Sequence, residues 1–134
     1  MANKKIVDVL NEALATELAA ITQYMWHHVM ATGLQSPGFR DGARKVAIDE
    51  MNHAEKLAER IVYLGGQPTT EATHVKVGGD LDKMIADDAQ AEEEAIAMYK
   101  RILSAVKDDP VTYDLILGIL KDEEEHHDFF LSLK

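Results

Sequence analysis

Two copies of the segment Asp-Glu-x-x-His, at residues 49–53 and 122–126, carry the densest chemistry in this sequence. Positions three apart on a helix face the same way, so Glu50 with His53, and Glu123 with His126, each set a carboxylate beside an imidazole. Such oxygen and nitrogen donors are fairly hard; they stabilise ferric iron and are compatible with manganese. One such pair is weak evidence of a metal site, but these two belong to a larger repeat. ELAAITQY (17–24) and EEEAIAMY (92–99) share Glu-x-x-Ala-Ile-x-x-Tyr at a displacement of 75 residues, and the Asp-Glu-x-x-His units are displaced by 73. Each half of the chain therefore offers one Glu, one Glu-x-x-His and one Tyr. Two divalent cations would balance the carboxylates of Glu17, Glu50, Glu92 and Glu123 with His53 and His126 neutral.

These acids interrupt apolar stripes. Glu17 lies between Leu14 and Ile21, and Glu50 and His53 lie between Val46 and Leu57. Glu92 shares a face with Ile85, Ala95 and Tyr99, and Glu123 and His126 fall between Ile119 and Phe130. A buried, unpaired carboxylate costs several kcal/mol, and no Lys or Arg shares these stripes near mid-helix except Arg60, about two turns away. A set of solvated or ion-paired acids is therefore the weaker reading, and a dimetal site the stronger. Register is open in two places. Helix phase favours Glu92 over Glu93 and Glu94, but it does not separate Glu123/His126 from Glu124/His127, because Leu117, Leu120 and Leu131 flank the second pair. The internal repeat selects Glu123/His126. His27, His28, His74 and His127 read as surface or interface histidines.

The elements that must position these groups are helices. Ile6, Val7, Leu10, Leu14, Leu18, Ile21 and Met25 recur every three or four residues, predicting a first helix from about Asn3 to Ala31 that ends at Gly33 and Ser36-Pro37-Gly38. A second runs from about Phe39 to Leu64 and stops at Gly65-Gly66. A third starts after Gly79 with Asp80 as N-cap and reaches about Lys107. The fourth starts with Asp109 as cap and Pro110 in its first turn. Residues 66–79 (GQPTTEATHVKVGG) lack a helical pattern. Extended, they reach roughly 46 Å, more than the ~40 Å length of a 27-residue helix. They can thus cross the whole bundle and leave helices two and three parallel, while short turns make antiparallel hairpins of the other pairs. The fold class is all-α, a four-helix bundle with one long crossover, in one domain spanning residues 1–134.

Composition excludes several functions. Lys plus Arg is 14 against 24 Asp plus Glu, a net charge of −10, which disfavours nucleic acid and anionic membranes as partners. The absence of cysteine removes disulfides, thiolate zinc sites, iron–sulfur clusters and cysteine nucleophiles. No apolar run approaches a membrane span, and the acids in MANKKIVDVLNEALA do not suit a signal sequence, so the expected location is cytoplasmic.

Across nearly its whole length the sequence resembles bacterioferritin, of the ferritin-like di-iron superfamily. LNEALATELAAITQYMWH is similar to that family's first helix, IDEMNHAEKLAERIVYLGGQP to its second and ILKDEEEHHDFF to its fourth. The donor set resembles the known pattern of ferritin-like bundles. The resemblance implies that Glu17, Glu50, His53, Glu92, Glu123 and His126 are the ligands of a di-iron ferroxidase centre, with Glu50 and Glu123 bridging and Tyr24 nearby. Two features depart from it. The sequence ends just after helix four, where the family has a short fifth helix, and AEEEAIAMY looks closer to rubrerythrin and Dps-adjacent relatives.

The leading expectation is Fe(II) oxidation by O2 or H2O2 at two iron ions per chain, with ferric mineral stored in a hollow homo-oligomer of 12 or 24 copies. The alternatives are a rubrerythrin-like peroxidase that stores no iron and a non-catalytic, metal-buffering bundle. Tyr24 or Tyr99 could hydrogen-bond a ligand or donate an electron. Met51 lies about 100° round the helix from Glu50, in a second apolar arc with Ala47, Ala54 and Ala58. A thioether is a competent axial ligand of haem iron, and DEMNH matches the family at its haem methionine, so the resemblance implies a haem or related porphyrin shared by Met51 of two copies.

Overall fold

Four helices account for most of residues 3–134, the part of the chain that the computed structural model describes: α1 (Lys4–Met30), α2 (Ser36–Tyr63), α3 (Leu81–Ala105) and α4 (Pro110–Ser132). Their starts are written in the sequence. The side chains of Asn3, Asp80 and Asp109 accept from the backbone N–H groups of Ile6, Lys83 and Thr112, satisfying donors that have no partner within the helix.

The start of α2 differs from the expected Phe39. Ser36, Pro37 and Gly38 form its first turn instead of lying in the preceding connection. Proline is harmless there, because its missing N–H would have no intrahelical partner and its fixed φ is already helical. At the other end of α2, Gly65 has a φ of 87°, and the amides of Gly65 and Gly66 donate to the carbonyls of Val62 and Ile61. Paired bonds of that kind close a helix and turn the chain away, and the left-handed residue they need is cheapest as glycine.

α1 packs mainly on α2, and α3 mainly on α4, with further contacts between α1 and α3 and between α2 and α4. Pairs such as Glu12 with Arg101 and His27 with Asp88 run in opposite senses along α1 and α3. Arg60, near the end of α2, binds Asp109 at the start of α4 at 3.0 Å. Those two antiparallel pairs, with an antiparallel α1–α2 hairpin in which His28 meets the Arg40 carbonyl, make α2 and α3 parallel, as the length of the connection requires. The crossover lies along α1: Gln67, Thr69, Thr73, Lys76 and Gly78 all bond to it through their backbones.

The core is divided. One apolar cluster contains Leu10, Leu57, Ile61, Tyr99, Ile102 and Ile116. The other contains Tyr24, Phe39, Val46, Met84 and Phe130. Between them runs a layer of buried acids and histidines. Among the described residues, no helix is long and apolar enough to cross a membrane.

Candidate metal centre

Each helix contributes to that layer at mid-length: Glu17 from α1, Glu50 and His53 from α2, Glu92 from α3, Glu123 and His126 from α4. All six are at most 6% exposed. Their donor atoms form two overlapping groups, Glu17–Glu50–His53–Glu123 and Glu50–Glu92–Glu123–His126, within each of which the atoms lie within 4.8 Å of one another. Exchanging 17 with 92, 50 with 123 and 53 with 126 turns one group into the other, so the sequence repeat appears as a pseudo-twofold axis. Glu50 and Glu123 belong to both groups.

The polar atoms here do not satisfy one another. Glu17 Oε1, Glu50 Oε1, Glu92 Oε1 and His53 Nδ1 are buried without a hydrogen-bond partner. His53 Nδ1 and Glu50 Oε1 approach to 2.9 Å without hydrogen-bond alignment. On the other side His126 Nδ1 lies 3.0 Å from Glu123 Oε1 and 3.7 Å from Glu92 Oε2. Buried polar groups in proteins are normally paired. Four orphans shared between these two adjoining groups are what a pair of cations would satisfy, and carboxylate with imidazole is a donor chemistry that fits iron.

A second ring of residues holds the first, again with pseudo-twofold symmetry. Tyr24 on α1 donates its hydroxyl to Glu92 Oε2 on α3 at 2.7 Å, and Tyr99 on α3 donates to Glu17 on α1. His53 Nε2 faces Asp122 Oδ2 at 2.8 Å, and His126 Nε2 faces Asp49 Oδ2 at 3.0 Å. A carboxylate only accepts, so each Nε2 carries the proton and each Nδ1 points at the cluster.

Without a cation the layer keeps protons. Burial, with the charges of Glu17, Glu123 and Glu92, raises Glu50 well above the ordinary carboxylate range. Burial together with Glu17 and Glu92 raises Glu123 to about 8. For the histidines burial works downward, but it is overcome. Glu17, Asp122 and Glu123 raise His53 to about 9, and Glu123 and Glu92 raise His126 to about 11. Both tyrosines are pushed up by burial and then by the acids beside them, so their hydroxyls stay protonated donors.

The alternative pair Glu124/His127 lies outside the cluster: Glu124 is exposed and His127 sits 3.7 Å from Glu93. Leu117 and Leu131, which made phase ambiguous, are exposed. Met51 is 53% exposed on the outer side of α2 while Glu50 beside it is buried. Of the alanines expected around Met51, Ala47 and Ala54 are buried in the bundle and Ala58 is half-buried, so the second apolar arc is narrower than its periodicity implied.

One reading is overturned. His27, expected at the surface or an interface, is fully buried within the bundle. Its Nε2 accepts from the Gly78 amide at 3.1 Å, which leaves Nδ1–H to donate to Asp88 Oδ1 at 2.8 Å. Gln23 donates to the same Asp88 oxygen at 2.9 Å and accepts from the Lys76 amide at 3.0 Å. The available signal was spacing: His27 follows Tyr24 by three, and Asp88 precedes Glu92 by four, both on the cluster's side of their helices. Asp49 and Asp122 were visible in the repeat, but their link to the histidine of the opposite hairpin was not.

Comparison with known proteins agrees with this geometry. Residues 7–133 match the ferritin family, described as a ferritin-like domain. A bacterioferritin of Desulfovibrio desulfuricans is 38% identical over 132 residues, covering 96% of this chain and 74% of that protein. A bacterioferritin of Streptomyces coelicolor is 34% identical, covering 93% of this chain and 77% of its own. A bacterial ferritin of Neisseria meningitidis is 32% identical, with 97% and 86% covered. With its four-helix bundle, the chain belongs to the bacterioferritin family of ferritin-like proteins.

Proposed function

We propose that this chain is a ferroxidase that oxidises Fe(II) to Fe(III) at a paired-iron centre, and that copies of it assemble into a hollow shell that stores the ferric product. The observation that carries the reading is the convergence of six buried donors whose unpartnered atoms have no lysine or arginine among them. Iron held there would supply one electron from each ion to dioxygen or peroxide. Glu50 and Glu123, shared by both donor groups, would serve both metal positions, and Glu17 with His53, and Glu92 with His126, would complete them. The tyrosine hydroxyls of Tyr24 and Tyr99 occupy one oxygen of Glu92 and Glu17 and leave the other free. Asp49 and Asp122 keep the histidine proton on Nε2, so that Nδ1 presents a lone pair once its own proton is lost.

Several large apolar side chains, among them Trp26, Val29, Met51, Val62 and Tyr63, are exposed on α1 and α2. They are the surface we assign to contacts between copies, in a shell of 12 or 24, with the cytoplasm as its place. Met51 within that surface is free to approach its counterpart in a second copy, and the pair would hold a haem by two thioethers and tune its redox potential.

The test is Fe(II) oxidation followed by absorbance, with iron counted per chain. Glu50→Ala should abolish fast oxidation while the helices persist, and many irons per chain should be retained. Equal rates in the variant and the parent would overturn the centre. Two irons with peroxide turnover would mark a peroxidase, and two without turnover a static or buffering site.

A further inference from the structure

Between α1, α3 and the crossover lies a cavity of about 270 Å³. Its walls include exposed His74 and Glu94 at the surface and buried Glu50 and Glu123 at depth, so it joins solvent to the metal centre. The side chains of Ala20, Ala91 and Ala95 are too small to fill the space between the helices. Among the described residues, one methionine lines this passage, Met98, which is 8% exposed and whose sulfur accepts from the Thr16 hydroxyl at 3.4 Å. Glu50, a side chain 1% exposed whose Oε1 is unpartnered, also lines the passage.

We propose that Met98 is a modification site, a thioether that consumes hydrogen peroxide passing between the centre and solvent. This rests on the ferroxidase reading only for the source of the peroxide. A thioether is a soft, polarisable nucleophile toward the O–O bond, and sulfoxide is its first oxidation product. The sulfur lone pair forms the S–O bond as the O–O bond breaks. The leaving hydroxide takes the proton from the transferred oxygen, giving methionine sulfoxide and one water. Sulfur is oxidised by two electrons and peroxide is reduced by two. The Thr16 hydroxyl, within hydrogen-bond reach of the sulfur and of the Glu12 carbonyl, orients the thioether in the passage.

Three other methionines provide internal references. Met30 and Met51 are 46% and 53% exposed, whereas Met84 is 3% exposed and does not line the passage. The experiment is peptide mass spectrometry in two arms. Metal-free protein treated with hydrogen peroxide should show Met98 oxidised at least tenfold faster than Met84, despite their similar burial, and Thr16→Val should slow Met98 several-fold while leaving Met30 and Met51 unchanged. Equal rates for Met98 and Met84 would overturn the proposal. In the second arm, protein oxidises Fe(II) under air with catalase in solution. Met98 should then be modified ahead of Met30 and Met51, and the reverse order would overturn a local peroxide source. If iron is not oxidised, the ferroxidase reading fails, and the first arm alone decides the reactivity of Met98.

Discussion

His126 on α4 is held at its outer nitrogen by Asp49 on α2, Nε2 to Oδ2 at 3.0 Å, so the acid that steadies each histidine comes from the opposite hairpin. The repeat unit Asp-Glu-x-x-His is thus completed across the pseudo-twofold axis and not within one helix. Each aspartate is partly solvated, with 39% of the Asp49 side chain and 47% of the Asp122 side chain exposed. Orientation of the ring and choice of tautomer, more than charge, are what these contacts supply.

The effects of their removal should therefore cross over. Asp122→Ala should weaken the metal position built on His53, and Asp49→Ala the one built on His126, each by about 10- to 100-fold. Cobalt(II) titration followed by its visible absorption reads the two steps. The Asn variants, whose amide oxygen still accepts from Nε2–H, should recover much of the loss. Combined with His53→Ala, Asp122→Ala should add little; combined with His126→Ala it should add its full effect. Additivity in both cycles would remove the crossed assignment.

A second prediction concerns the protein free of metal. Glu123 has an ordinary value of 4.5 and is held at about 8, so it favours the fold fully below 4.5 and loses that contribution as pH rises through 8. His53 and His126, raised to about 9 and about 11, favour the fold below their ordinary 6.5 and lose that contribution at still higher pH. All these terms have the same sign. Thermal unfolding of metal-free protein should show Tm falling from pH 5 to pH 9, and Glu123→Gln should flatten the fall. Divalent metal, which requires deprotonated donors, should reverse the slope. A Tm that rises with pH in the absence of metal would contradict the charge balance described for the layer.

The buried group at His27 yields a third. His27→Ala removes the acceptor of the Gly78 amide and a donor to Asp88, whose other oxygen already has no partner. Each buried polar group left unsatisfied costs about 1–3 kcal/mol, so the variant, with two such groups, should lose roughly 2–6 kcal/mol of stability in urea. The loss should be local in its first effect. Exchange of the Gly78 and Lys76 amides should accelerate well before that of the α1 interior, because these bonds fasten the crossover to the bundle. Uniform acceleration along the chain would instead mean that the group acts only through global stability.

How much of this was legible depended on range. The caps Asp80 and Asp109 are local chemistry, and they act where the sequence placed them. The six donors and their symmetry came from periodicity and repetition, and the structure brings all six together. The start of α2 was misplaced because Ser36-Pro37-Gly38 terminates one helix as readily as it opens the next. The burial of His27 was missed because its partners, Asp88 and the Gly78 amide, are 61 and 51 residues away. Spacing along α1 places a side chain on a face, but only the path of the crossover decides whether that face is covered. The same limit applied to Met51: helix phase put it outside the cluster, while the burial of Ala47 and Ala54 beside it depends on neighbouring helices.

The last prediction follows from that position. Met51 points out of the bundle at 53% exposure, one residue from a buried donor, so a ligand on it would not compete with the metal centre. Purified protein given haem should bind one haem per two chains and show a sharp Soret band with the features of two thioether ligands. Met51→Leu keeps the volume and apolar character of the side chain but supplies no ligand. It should abolish that spectrum while leaving Fe(II) oxidation and the helical content intact. A Met51→Leu protein that binds haem with an unchanged spectrum would rule out this residue as the axial ligand. A monomer of 14.9 kDa by light scattering, with or without haem, would rule out the paired copies that the site requires.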